Sequence, residues 1–128
     1  MHSIVHNPSE GIYPATPDYV HALEVRDVER MLFVSGTMGL DSTAAPPVSL
    51  DAQLELAWSN IRAILASARM SLDHIVRATS YLQHADYAAA NAAARMAALG
   101  GRLIPTTAIV VDTLSPDWLI ELEVIAVG

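Results

Sequence analysis

The clearest hydrophobic pattern in the chain is at its C-terminal end. There Ile120, Leu122, Val124 and Ala126 alternate with Glu121, Glu123, Ile125 and Val127, the two-residue period of a strand. A strand is expected over Trp118 to Val127. Further strands are expected at Tyr19 to Val25, Met31 to Gly36, Ile75 to Leu82 and Thr106 to Val111. Asp27 to Arg30 is a short polar connection, so the first two of these are expected to form an antiparallel hairpin. Before them, Pro8, Gly11, Pro14 and Pro17 make residues 1–18 read as an irregular arm.

Two stretches switch to helical spacing. Leu54, Trp58, Ile61, Leu65 and Ala68 recur every three or four residues after Ser49, a good N-cap, with Asp51 in the first turn. This helix should run from Leu50 to about Met70. The second should start at Asp86, follow the Ala-rich stretch Tyr87 to Leu99, and stop at Gly100-Gly101. So many alanines imply close packing of backbone against backbone. Trp58 and Tyr87 lie on helix stripes and read as core.

The order β-β-α-β-α-β-β predicts an α+β two-layer sandwich, one sheet with both helices on one face. The opposite face must hide Ile125 and Val127, and a symmetric oligomer does so economically. With 128 residues and 52% apolar positions, the chain is expected to be a single domain over 1–128.

Composition then narrows the chemistry. There is no cysteine, which removes disulfides, thiolate metal sites and cysteine nucleophiles. All seven basic residues are arginines, so lysine Schiff-base chemistry is excluded as well. The five histidines show no metal-ligand spacing, and neither a metal nor a cofactor is expected. A net charge of −7 without any basic cluster argues against nucleic acid. No apolar run approaches a membrane span and no leader pattern opens the chain, so a cytoplasmic protein that does not engage membranes is the expectation.

Four segments carry a resemblance. Leu32-Phe33-Val34-Ser35-Gly36-Thr37-Met38-Gly39-Leu40-Asp41 resembles LFVSGQIPLD. Ser71 to Leu82 resembles S-L-D-D-V-V-K-T-T-V-Y-L. Asp86-Tyr87 with Asn91 matches D-F-x-x-x-N, and Ile120 to Val127 is similar to I-E-I-E-A-I-A-V. In this order they identify a resemblance to the Rid family, also called YjgF or RidA, over about residues 19 to 127.

The resemblance implies a chorismate-mutase-like fold and a homotrimer with small-molecule sites in clefts between subunits. It also implies hydrolysis of enamines and imines, such as 2-aminoacrylate, to 2-oxo acids and ammonia. Carried over by position, it makes Glu121 the catalytic carboxylate that orients or deprotonates water, and Tyr19, Ser35 and Thr107 substrate-binding residues. Glu123 is read as structural. Pro17-Asp18 and Val20 depart from the family's G-P-Y-S.

The family's P-A-R-[ST] arginine falls on Thr107, the largest departure. A guanidinium clamps a carboxylate with two parallel bonds, and a threonine hydroxyl does not. Losing such a charge-assisted bond costs ~1.5–3 kcal/mol, one to two orders of magnitude in affinity for 2-imino acids. Arg102 would need a different backbone path to compensate. The substrate is therefore expected to differ from 2-aminoacrylate. A non-catalytic trimer that binds a small metabolite is the alternative. A nuclease role, attributed to some relatives, is disfavoured by the acidic charge.

Overall fold

The computed structural model describes all of residues 1–128. Its sheet is arranged around the strand with the strict alternation. Numbered in chain order, the strands are β1 (His2–His6), β2 (Ala22–Arg26), β3 (Met31–Met38), β4 (Ile75–Leu82), β5 (Thr106–Val110) and β6 (Ile120–Val127); the helices are α1 (Leu50–Ser67) and α2 (Ala88–Ala98). The main sheet has the order β3-β6-β4-β5. β6 runs antiparallel to both neighbours, and β5 pairs parallel with β4. Thus β3, β4 and β5 share one direction. α1 and α2 are the crossovers between them, and the right-handed rule for such connections puts both helices on one face.

The core lies between that face and the helices. Leu54, Ala57, Trp58, Ile61 and Leu65 of α1 meet Ile75, Ala78 and Leu82 of β4 and Ile120, Leu122, Val124 and Ala126 of β6. Fully burying side chains of this size stabilises by about 1.5–3 kcal/mol each. The Ser49 hydroxyl caps α1 by accepting from the Ala52 N–H at 3.1 Å. Gly100 and Gly101, at φ 62° and 82°, end the second helical segment in the left-handed region that glycine tolerates. No helix is long and apolar enough to cross a membrane.

Gln53 ties the layers together. Its side-chain amide is buried, donates to the Pro47 and Asp117 carbonyls at 2.8 Å each, and accepts from the Leu119 N–H at 2.9 Å. The Leu119 N–H is therefore held by a helix side chain, while its carbonyl accepts from the Gln83 N–H at 3.1 Å just beyond the last β4-β6 pair, and β6 begins at Ile120 and not at Trp118. At Gly39 an added Cβ would sit 2.1 Å from the Gln53 carbonyl oxygen, so the exit of β3 lies directly on the α1 backbone.

Several expectations need correction. Residues 1–18 are not wholly irregular: His2–His6 forms β1 and pairs antiparallel with β2, from His2 opposite Arg26 to His6 opposite Ala22. The prolines begin only at Pro8, so nothing in the first six residues obstructs a strand. The expected hairpin between β2 and β3 does not form, and there are two sheets, the main one and the β1-β2 ribbon. Asp27 adopts φ 58°, and the Glu29 and Arg30 amides both bind the Gly128 carbonyl at 3.0 Å. That connection delivers Met31 to Val127 of β6 in place of β2. The same wrapping accompanies an exposure of 0% at Val127, so this residue needs no second copy to cover it. Ile125 is half-buried. Helix α1 stops at Ser67, and Tyr87 closes a 3-10 turn ahead of α2 while still packing on the core.

Replacing Gln53 with Leu leaves three backbone groups without their partner. A loss of about 1–3 kcal/mol is expected, read as a lower denaturation midpoint at constant slope.

Candidate functional site

The face of the main sheet turned away from the helices carries most of the candidate residues. Strand register arranges it in rows. Thr107 of β5 lies opposite Thr79 of β4, which lies opposite Glu123 of β6. In the next row Ile109, Tyr81, Glu121 and Met38 follow one another across the four strands. On the other side, Arg77 pairs with Ile125, which pairs with Phe33. The alternation that buries Leu122 and Val124 points Glu121 and Glu123 to this face.

Between Val34 and Thr37 the β3 ladder shifts register, so Ser35 and Gly36 together oppose the single residue Glu123. The Thr37 hydroxyl donates to the Ser35 carbonyl at 2.9 Å, which fixes the bulge and leaves the Ser35 side chain exposed. The bulge lies beneath Glu121. A Cβ added to Gly36 would be 2.1 Å from Glu121 Oε2, so only glycine lets this carboxylate settle there. Ser35, Gly36 and Glu121 are thus brought together.

Thr107 is not part of that cluster. It stands on the edge strand β5, three strand spacings from Ser35, or about 14 Å. It nevertheless has an arginine beside it. Arg77 reaches across from β4 and donates from Nη2 to the Thr107 hydroxyl at 2.8 Å. Arg102 is elsewhere: its Nη2 donates to the Leu72 carbonyl at 2.8 Å, ahead of β4, and burial lowers its pKa. Tyr81 and Glu123 form a second pair on the face, the phenol donating at 3.1 Å. That bond, with the nearby carboxylate charge, raises the Tyr81 pKa and keeps the proton on the phenol.

Tyr19 sits before β2, its ring edge-on to His21 with centroids 5.8 Å apart. Its loop is pinned on both sides. The Val20 N–H reaches the Ile104 carbonyl at 3.3 Å, and Arg95 of α2 donates to the Asp18 carbonyl and carboxylate at 2.8 Å each. The Arg95 side chain is only 5% exposed. Asp18, a departure from the family pattern, therefore holds the Tyr19 loop on α2. A Thr16 hydrogen bond, then Arg95, lowers the Asp18 pKa.

Arg77 and Tyr81 are not singled out by the sequence pattern and Glu123 is read there as structural, yet all three stand on this face. The signal was the β4 alternation Arg77, Thr79, Tyr81 against buried Ala78, Ser80 and Leu82, which matches the polar side of β6. Two pockets of about 220 Å³ lie on this face and share Glu123. One includes Tyr81, Asp112 and Glu121, the other Phe33, Arg77 and Ile125. A larger cavity of about 480 Å³ lies between α1 and α2, away from all these residues. The buried Trp58 indole N–H that borders it has no partner. No group of three or more His, Cys, Asp or Glu side chains is positioned to hold a metal ion.

Two outcomes are expected here. Gly36→Ala meets only the movable end of Glu121, so the fold should survive with the carboxylate displaced, a shift a crystal structure of the variant would reveal. For Asp18 the lowered folded-state pKa means that its stabilisation is present above the ordinary value of 3.8 and is lost as pH falls through the folded value. Asp18→Asn should therefore lower the melting temperature at neutral pH, and the gap to the wild type should close below that value.

Comparison with known proteins bears on the family and the fold. A family profile described as Endoribonuclease L-PSP matches residues 11–128. Among solved structures, the chain is similar to YyfB from Yersinia pestis, a protein of unknown function of the conserved Rid family. The identity is 25%, with 100% of both chains covered and a TM-score of 0.83. RidA from an Antarctic Psychrobacter shares the fold at TM-score 0.73 and 24% identity, over 95% of this chain and 98% of that one. Protein DfrA from Myxococcus xanthus is 36% identical over 66 residues, which is 50% of this chain and 50% of that protein. The chain thus spans about half the length of this curated relative. Its α+β architecture is the Rid/YjgF fold, and the chain belongs to the Endoribonuclease L-PSP family.

Proposed function

We propose that this protein is a cofactor-free hydrolase of small enamines or imines, acting in the cytoplasm as a homotrimer with its sites between subunits. The observation that carries this reading is the Glu121 carboxylate over Gly36. It accepts no hydrogen bond from the chain and faces the sheet surface at the bulge formed by Ser35 and Gly36. It is an unspent base in a shaped setting.

Hydrolysis needs little more. Water adds to the carbon of the protonated C=N bond as Glu121 takes a proton from the water, giving a neutral carbinolamine. Glu121 returns that proton to nitrogen, the C–N bond breaks and ammonia leaves, and the hydroxyl proton passes to the Glu121 carboxylate as the carbonyl forms. An enamine first gains a proton on carbon to reach the imine.

Assembly is supported by the separation of the residues. Thr107 and Ser35 are too far apart within one chain to hold one small molecule, whereas a β5 edge brought against the β3 edge of another copy unites them. Both edges carry apolar residues that water would otherwise meet: Phe33 is 70% exposed, and Met31, Ile109 and Val110 are exposed too. The family's ribonuclease label finds no support in a chain of net charge −7.

Thr107 offers a hydroxyl and no charge, and this favours one second reading, a non-catalytic trimer that binds a small metabolite. Glu121→Gln separates the two. The hydrolase reading expects the rate with freshly generated 2-iminobutanoate or an uncharged imine to fall by about 100-fold, with the assembly intact. A wild-type rate in the variant removes Glu121 from the mechanism. A wild type inert toward every imine, yet still binding a 2-oxo acid, supports the binding protein.

A further inference from the structure

We propose that Arg77 is the anion-binding residue of this cleft, held in place by Thr107, and that the ligand is a small acid with one carboxylate next to an imino, enamine or amino nitrogen. The reaction in this proposal rests on the hydrolase reading; the binding does not.

The guanidinium carries five N–H donors in a planar fork. One end is spent on the Thr107 hydroxyl at 2.8 Å, and no carboxylate lies within 4.0 Å of the group, so most of its donors are uncommitted. It is nevertheless not a loose surface arginine. It projects from a strand with neighbours on both sides, lines a pocket of about 220 Å³ with Phe33, Thr79 and Ile125, and is oriented by a neighbouring strand. A cation fixed against apolar walls with its charge unpaired is a prepared site for an anion.

Thr107 and Arg77 thus act as a unit. The hydroxyl accepts from Nη2 and draws the guanidinium from its own row toward that of Thr79 and Glu123. Positive charge absent from the backbone position of Thr107 is supplied by a side chain leaning over it. Thr107 is accordingly a positioning residue, and carboxylate recognition is moved, not lost.

Glu123 sets the other half of the specificity. It lines the same pocket, takes the Tyr81 hydroxyl at 3.1 Å and forms no ion pair with Arg77. Glu121 and Asp112 lie in the adjoining pocket. A ligand with two negative charges meets these carboxylates, whereas a protonated or hydrogen-bonding nitrogen beside one carboxylate suits both ends.

The test uses the intact protein and two measurements. The first is calorimetric binding of 2-oxobutanoate, which carries the carboxylate without reacting. The second is turnover of 2-iminobutanoate against 1-pyrroline, an imine with no carboxylate. Arg77→Met and Arg77→Gln are expected to weaken 2-oxobutanoate binding and raise KM for 2-iminobutanoate by about 10- to 100-fold, while 1-pyrroline turnover stays unchanged. Arg77→Lys should recover part of the loss. Thr107→Val should raise KM for the acid alone, and Thr107→Ser should restore it.

Three results overturn the proposal. These are wild-type 2-oxobutanoate binding by both neutral Arg77 variants, equal loss of both imines with a change in oligomer mass, and a wild type that does not bind 2-oxobutanoate. If neither imine is turned over but binding disappears with Arg77, the hydrolase reading fails and the anion site stands.

Discussion

The structure depends on the position of β6 between β3 and β4. One face of this strand closes the core through Ile120, Leu122, Val124 and Ala126, and the other carries two carboxylates. Because side chains alternate strictly along a strand, a slip of one residue would bury Glu121 and Glu123 and expose the core set. The cost of burying unpaired carboxylates makes that slip prohibitive. Hydrophobic burial therefore fixes not only the sheet but the direction in which the chemistry points.

Local regularities in the sequence are sufficient for α1, α2 and five of the six strands. Ser49, the Leu54-to-Leu65 stripe, Gly100-Gly101 and the alternation in β4 and β6 each rest on neighbours a few residues apart. Pairing does not. The β2-β3 hairpin was inferred from proximity along the chain, whereas the true partners depend on Asp27 turning left-handed and on the Gly128 carbonyl binding Glu29 and Arg30. β1 was hidden for a related reason. All five of its residues are exposed, so it has no buried face to reveal it, and what holds it is the β2 backbone with surface contacts such as His6 to Glu24.

The candidate site divides along the same line. Motifs single out Glu121, Ser35 and Thr107 as candidates, and their faces can be read from period-two alternation. That Ser35 sits in a bulge under Glu121, while Thr107 lies three strands away, needed the register. The departure at Pro17-Asp18 shows the same limit. As sequence it reads as erosion of a motif. As structure it is an aspartate bound to a buried arginine seventy-seven positions on, holding the Tyr19 loop against α2.

The arginines make the final step. In a chain of net charge −7 with no lysine, seven guanidinium groups are the whole supply of fixed positive charge. Arg30 binds the Ala68 and Arg69 carbonyls beyond the end of α1, Arg102 the Leu72 carbonyl, Arg95 is tied to Asp18, and Arg26 pairs with Glu24. Arg62 borders the helix-side cavity, and Arg69 follows α1 in a left-handed turn. Only Arg77 projects from the sheet onto the face that carries Glu121 and Glu123. Within a strongly acidic surrounding, a fixed cation next to apolar walls selects its ligand by local contact, because the long-range field of the protein repels anions. An acid bound there must make close, directional bonds to the guanidinium fork, and the orientation of that fork is what the Thr107 hydroxyl controls.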